Sequence, residues 1–322
     1  MKEIKFCDIN GIKLGHAENK DGGTGCSVVI CEEGATGGVD VRGGSPGTRE
    51  TDLLNPMEMV DRIHAVVLSG GSAFGLDASA GVMEYLEKKD IGFDVTVAKV
   101  PIVCQAVLFD LAFGDPKIRP DKEMGFNACK NSEIYQDDIN GNIGAGYGAT
   151  VGKFLGAPYS MKGGLGTYAI KLGELEVGAI VAVNCLGDVV DPSDLNFIAG
   201  AYDRENNKFL NTENIILDNF EHPQIPFKGN TTIGIIVTNA QFTKAEANKV
   251  ASMAHNGYGR TMRPAHTMFD GDTIFTMSTN KVKGDVTTVG MLAANVMEKA
   301  IIRGVKSAQG LFNIPSFSDI NN

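Results

Sequence analysis

Apolar positions in this chain fall into two patterns, short β-branched runs and longer stretches spaced three and four residues apart. Residues 27–31, 64–68, 96–98, 176–183, 232–238 and 273–277 are of the first kind and predict strands. Residues 72–88 and 287–303 are of the second and predict helices. A third helix announces its own start, because Thr243-Lys244-Ala245-Glu246 is a capping box ahead of Ala247, Val250, Ala251 and Ala254. Strands occur both in succession and in alternation with helices, which predicts a layered α/β or α+β fold. The stretch 202–228 lacks periodicity, carries Asn206-Asn207, Pro223 and Pro226, and reads as an exposed loop delivering the chain to Asn230.

Forty glycines among 322 residues are about twice the usual share. They sit beside apolar runs, at Gly22-Gly23, Gly43-Gly44, Gly70-Gly71, Gly144 to Gly152 and Gly163-Gly164, and so mark tight turns and close backbone approaches rather than a linker. The length suits one large-cored domain over residues 1–322. A net charge of −10 with no basic run argues against a nucleic-acid partner. Six cysteines without a Cys-x-x-Cys pair fit buried thiols in a reducing compartment rather than a zinc ribbon or disulfide scaffold. With no signal-peptide pattern and no apolar run of bilayer length, the expectation is a soluble cytoplasmic protein that avoids membranes.

Three glycine-rich or acidic clusters invite chemical readings. Gly70-Gly71-Ser72-Ala73-Phe74-Gly75 follows a strand and opens a helix, either as a tight turn or as part of a pocket wall. It fails as a nucleophile elbow because Phe74 stands where glycine is required. Gly146 to Lys153 resembles a phosphate loop but has Tyr147 and Phe154 at the positions needing glycine and a hydroxyl. Lys153, set among glycines and apolar residues, is open to desolvation and a lowered pKa. His266, Asp270 and Asp272 look like half a metal site but match neither a calcium loop nor a zinc helix; a turn whose carboxylates cap backbone amides fits better than a metal, and a catalytic role for the aspartates better still.

The strongest candidate is Asn230-Thr231-Thr232 at the mouth of the run Ile233 to Val237, followed about 40 residues later by Asp270-Gly271-Asp272. A threonine with two carboxylates to receive it suits a hydrolase with an N-terminal nucleophile. Thr231 is internal, so that chemistry requires a cut between Asn230 and Thr231, which supplies a hydroxyl and a free α-amine on one residue. No cofactor and no metal is called for.

With these blocks, together with Arg42-Gly43-Gly44-Ser45-Pro46-Gly47, Leu68 to Leu76, Gly144 to Lys153 and Met161-Lys162-Gly163-Gly164, the sequence resembles the self-cleaving DmpA-type aminopeptidases of peptidase family S58, relatives of the nylon-oligomer hydrolases. The resemblance runs from about Gly11 to Leu311. It implies a four-layer αββα sandwich of two central sheets between helices, and a precursor that cuts itself into chains 1–230 and 231–322 which stay together and assemble as a homo-oligomer. It further implies Thr231 as nucleophile, Asn184 as oxyanion donor, Lys153 as active-site lysine and Asp270 with Asp272 as the acidic pair. The implied substrates are small peptides, amides or esters. Thr231 with Asp-x-Asp is closer to the nylon-oligomer hydrolases than to the serine aminopeptidases, whereas Phe109 replaces a tyrosine found near their site. Ornithine acetyltransferases, which also cut before a threonine, usually do so after alanine rather than asparagine. A binding protein that has lost catalysis is the remaining alternative, opposed by the intact Thr231, Asp270 and Asp272.

Overall fold

A computed structural model describes residues 1–134, 139–221 and 229–321. Ten strands form one hydrogen-bonded sheet: β1 (Lys2–Ile4), β2 (Lys13–Asn19), β3 (Thr24–Val41), β4 (Thr48–Arg49), β5 (Arg62–Ser69), β6 (Val103–Val107), β7 (Gly164–Leu172), β8 (Leu175–Val183), β9 (Ile233–Ala240) and β10 (Thr273–Val282). Their order is β1-β7-β8-β9-β10-β3-β5-β6-β4, with β2 on the other side of the first half of β3. Four long helices accompany them: α1 (Ala78–Lys88), α2 (Lys122–Asn131), α3 (Lys244–Thr261) and α4 (Val286–Ser307).

The four expected layers are present, but the two expected sheets are halves of one. The 18-residue β3 belongs to both: its first part pairs with β2 and β5, its last part with β10, and its register with β5 shifts between Ile30 and Ala35. Gly34, at φ 79°, lies in that irregular stretch in a conformation that favours glycine. The two halves therefore face each other across a central core.

Side-chain alternation along the strands fills three cores in parallel. On β8, Val177, Ala179, Val181 and Val183 pack under α3 and α4, while Ile180 and Ala182 point into the central core. On β5, Val66 and Leu68 enter that core from the opposite side, and Ala65 and Val67 meet α1 and α2. Strands buried on both faces read as unbroken apolar runs, which is why β5, β8 and β9 were visible in the sequence.

Two expectations change. Residues 96–98 are not a strand but the exposed turn between the short strands Phe93–Asp94 and Lys99–Val100; Thr96 has φ 73°, so local turn geometry overrides β-branched propensity. The stretch expected to be one exposed loop contains a hairpin, Tyr202–Asp203 with Lys208–Phe209, and the helix Thr212–Asp218 capped by Asn211. Its end, including Pro223 and Pro226, lies outside the described residues.

Candidate active site

Topology explains why two motifs 40 residues apart converge. Strands β9 and β10 are parallel neighbours with Ile233 opposite Thr273, so the residues just before each strand share one edge of the sheet. Thr231 and Thr232 thus lie beside Gly271 and Asp272. The antiparallel neighbour β8 ends there too: Ala182 pairs with Ile233, so Asn184 falls opposite Thr231, whose N–H donates to the Asn184 carbonyl at 3.0 Å.

Asn230 and Thr231 are 2% and 4% exposed, so the bond between them is not the accessible loop peptide that the sequence suggested. The Thr231 hydroxyl contacts the carbonyl oxygen of Asn230 and accepts the Gly271 N–H at 3.1 Å. A Cβ on Gly271 would stand 2.7 Å from Thr231 Oγ1, which makes glycine the fitting residue between the two aspartates. Thr231 also opens onto a cavity of about 520 Å³ bounded by Pro46, Val107, Leu108, Phe109, Met268 and Phe269, with Ser45 and Ser72 contributing hydroxyls.

Lys153 Nζ donates to Asn184 O at 3.0 Å, Asn184 Oδ1 at 2.8 Å and Gly229 O at 3.1 Å. Three acceptors match the three hydrogens of an ammonium. Burial opposes that charge and pulls the Lys153 pKa down to about 7, while Cys185, Asp270 and Asp110 act in the other direction. The desolvation and lowered pKa to which the sequence left Lys153 open are what its burial produces.

The acidic pair does not reach the Thr231 hydroxyl among the described residues. Asp270 accepts from the Leu186 N–H at 3.2 Å and from the Thr267 N–H at 3.1 Å and hydroxyl; burial raises its pKa, with the Asp272 charge next in effect. Asp272 accepts the Thr232 N–H at 2.8 Å and the His266 N–H at 3.0 Å, and meets His266 Nδ1 at 2.9 Å. The amide-capping reading of this turn therefore describes its geometry, and no group of three or more His, Cys, Asp or Glu among the described residues is arranged to hold a metal. Asn184 is fully buried; Nδ2 donates to Phe109 O at 3.0 Å, and Oδ1 accepts from Thr150 N as well as Lys153. The glycine-rich 70–75 segment is both a tight turn and a wall, since Gly71 has φ 81° and Ser72 lines the cavity.

A family model for peptidase family S58 matches residues 5–314. This chain belongs to peptidase family S58. It is thus a hydrolase of peptide or other amide bonds. The S58 chain is 38% identical over 342 residues to an uncharacterized aminopeptidase of Mycobacterium leprae, covering 96% of this chain and 92% of the relative. It is 29% identical over 320 residues to a 6-aminohexanoate-oligomer endohydrolase of Paenarthrobacter ureafaciens, covering 95% and 87%. In fold it is similar to the L-aminopeptidase D-Ala-esterase/amidase of Ochrobactrum anthropi, a variant of the Ntn-hydrolase fold, with a TM-score of 0.71, 16% identity and coverage of 96% and 88%.

Two buried charges behind the site escaped the sequence reading of chemistry. Asp110 accepts from Thr24 Oγ1 at 2.6 Å and Gly71 N at 2.7 Å, and burial raises its pKa to about 6. Lys162 donates to Tyr147 O and Ala149 O, both at 2.8 Å, and lies 4.3 Å from the Phe113 ring centroid. Nothing in the local sequence marks either as buried.

Burial lowers the Lys162 pKa from 10.5 to about 7, so between those values the unfolded chain binds more protons than the folded one and stability rises with pH. Lys162→Met should remove a rise on the order of 2–3 kcal/mol between pH 7 and about 9.5. Urea denaturation at both pH values, in an uncut Thr231→Ala background, measures this; a difference between variant and parent that does not change with pH contradicts it.

Proposed function

We propose that this S58 hydrolase matures by cutting itself between Asn230 and Thr231 and then uses Thr231 as an N-terminal nucleophile on amide, peptide or ester bonds. The observation that carries the reading is the Thr231 hydroxyl set against the Asn230 carbonyl, on a buried edge that opens into the cavity. The scissile unit is held on both sides, by Lys153 on the Gly229 carbonyl and by the Asn184 carbonyl on the Thr231 N–H. Thr232 is tied in turn to Asp272. Such a clamp supplies the fixed approach of reacting atoms that intramolecular attack needs.

In the first step Oγ1 bonds to the Asn230 carbonyl carbon, the C–N bond breaks, and the hydroxyl proton ends on the departing Thr231 nitrogen. Water then hydrolyses the ester, leaving an Asn230 carboxylate and restoring the hydroxyl beside a free α-amine. An α-amine of ordinary pKa near 8 is a suitable base at neutral pH for taking the hydroxyl proton when substrate arrives. Asn184 Nδ2 has two hydrogens, and Phe109 O takes one; the other serves the oxyanion. Asp270 and Asp272 act as positioning residues, holding the 266–272 turn and Thr232 rather than the nucleophile's oxygen.

The relatives' names support two substrate classes, N-terminal residues of peptides and internal amides of 6-aminohexanoate oligomers. We take the broader class of small amides and esters as the function and endo-type oligomer hydrolysis as the alternative. We also propose that the processed 1–230 and 231–322 chains remain together, assemble as a homo-oligomer and work in the cytoplasm. Six cysteines, none of them disulfide-bonded, fit that compartment, and no described helix is long and apolar enough to cross a membrane. The experiment for the whole reading is hydrolysis of a panel of amino-acid amides, esters and linear amide oligomers by purified protein and its Thr231→Ala variant. Hydrolysis by the parent alone is the expected result; equal activity in the variant overturns it.

A further inference from the structure

Asn184 is aimed by a carbonyl that lies beyond the end of a strand. Its Nδ2 donates to Phe109 O at 3.0 Å, and the direction of that bond fixes where the second amide hydrogen points. Strand β6 ends at Val107, and backbone bonds with Ser69 and Ser72 carry its register on to Leu108. The peptide that presents the Phe109 carbonyl comes next and ends on Asp110.

Asp110 is 4% exposed and anchors that peptide through both carboxylate oxygens: Oδ2 accepts from Thr24 Oγ1 at 2.6 Å, and Oδ1 accepts the Gly71 N–H at 2.7 Å. Its own carbonyl takes the Phe113 N–H at 2.8 Å. Two further segments make room for the carboxylate, since a Cβ on Gly70 would stand 1.9 Å from Oδ2 and one on Gly148 2.8 Å from it. Burial disfavours the charged form of this group, so an apolar side chain would fill the same space with less desolvation. What the carboxyl adds over such a side chain is direction. The Phe109 ring carries that direction to the scissile segment as well, because a Cβ on Gly229 would stand 2.3 Å from Phe109 Cδ1.

We propose that Asp110 is a positioning residue for hydrolysis: by tying the 109–110 peptide to Thr24 and Gly71 it sets the Phe109 carbonyl, which turns the second hydrogen of Asn184 Nδ2 toward the oxyanion. The proposal rests on Thr231 as nucleophile and Asn184 as oxyanion donor. The two hydrogen bonds, rather than the negative charge, perform this role. Asparagine keeps the shape, accepts the Gly71 N–H and bonds the Thr24 hydroxyl, and so should replace aspartate.

The test is kcat and KM of processed enzyme on an amino-acid p-nitroanilide, for the parent, Asp110→Ala, Asp110→Asn, Asn184→Ala and the Asp110→Ala/Asn184→Ala pair. Asp110→Ala should lower kcat by about 10-fold to 100-fold with KM within about threefold, since a misaimed donor weakens the transition state alone. Asp110→Asn should restore kcat to within about threefold of the parent. In the Asn184→Ala background, Asp110→Ala should add less than about twofold, because its effect passes through the amide already removed. If Asp110→Ala does not fold, Thr24→Val deletes one anchor at constant shape and should lower kcat by about threefold to tenfold with the same lack of additivity. A parental kcat in the alanine variant, an asparagine variant as slow as alanine, or additive losses in the pair each overturn the proposal and leave the nucleophile standing. Turnover that survives Thr231→Ala, or parental turnover in Asn184→Ala, instead overturns the reading beneath it.

Discussion

Thr231→Ala should yield a folded chain of 322 residues that stays uncut and whose hydrolysis falls by at least about 10⁴-fold. The loss is large because one substitution removes the attacking oxygen and, by preventing the cut, the α-amine that serves as its base. The methyl of alanine fits a position already 4% exposed, and the Thr231 N–H bond to Asn184 is kept, so folding should survive. Thr231→Ser retains a hydroxyl and should cut, more slowly where the lost methyl loosens the rotamer. Near-infrared-scanned denaturing gels and steady-state assays read both outcomes. Residual full activity in the alanine variant would point to another nucleophile.

The second large effect is expected from Lys153→Met, a change of similar length that deletes all three donors. Lys153 holds both the Gly229 carbonyl and Asn184, so its loss frees the chain on one side of the scissile bond and the oxyanion donor together. Both self-cleavage and turnover should fall by about 100-fold to 1,000-fold. Methionine relieves the burial of the amine but leaves the Gly229 carbonyl without this donor, so thermal unfolding of the variant separates a loss of fold from a loss of rate. Rates of maturation followed by gel, and kcat on the processed fraction, measure the two effects separately. A variant that matures and turns over at the parent's rate contradicts the clamp.

Much of this site was legible because it sits at the ends of fully buried strands. Thr231 and the Asp270 to Asp272 turn precede two apolar runs that turn out to be parallel neighbours, so sequence order alone pointed to one edge. Asn184 is different: its place opposite Thr231 follows from antiparallel pairing of β8 with β9, a register that spacing along the chain does not encode. It was reached only through resemblance. The roles of Asp270 and Asp272 were read too directly, because a carboxylate near a nucleophile in sequence says nothing about which amides will take its oxygens. Strand β3 was cut short at Cys31, since Glu32, Glu33 and Gly34 interrupt its apolar run where the sheet bends. Helix α2 was missed for want of a strong stripe; only Gly125, Ala128 and Cys129 of its ten residues are buried.

The central claim is a covalent one, and a mass measurement addresses it directly. Purified, active protein is denatured and its chains weighed. Cleavage at Asn230–Thr231 gives two species of 230 and 92 residues, the second beginning with threonine, from a chain of 322. An active preparation containing only the intact 322-residue chain would contradict the account.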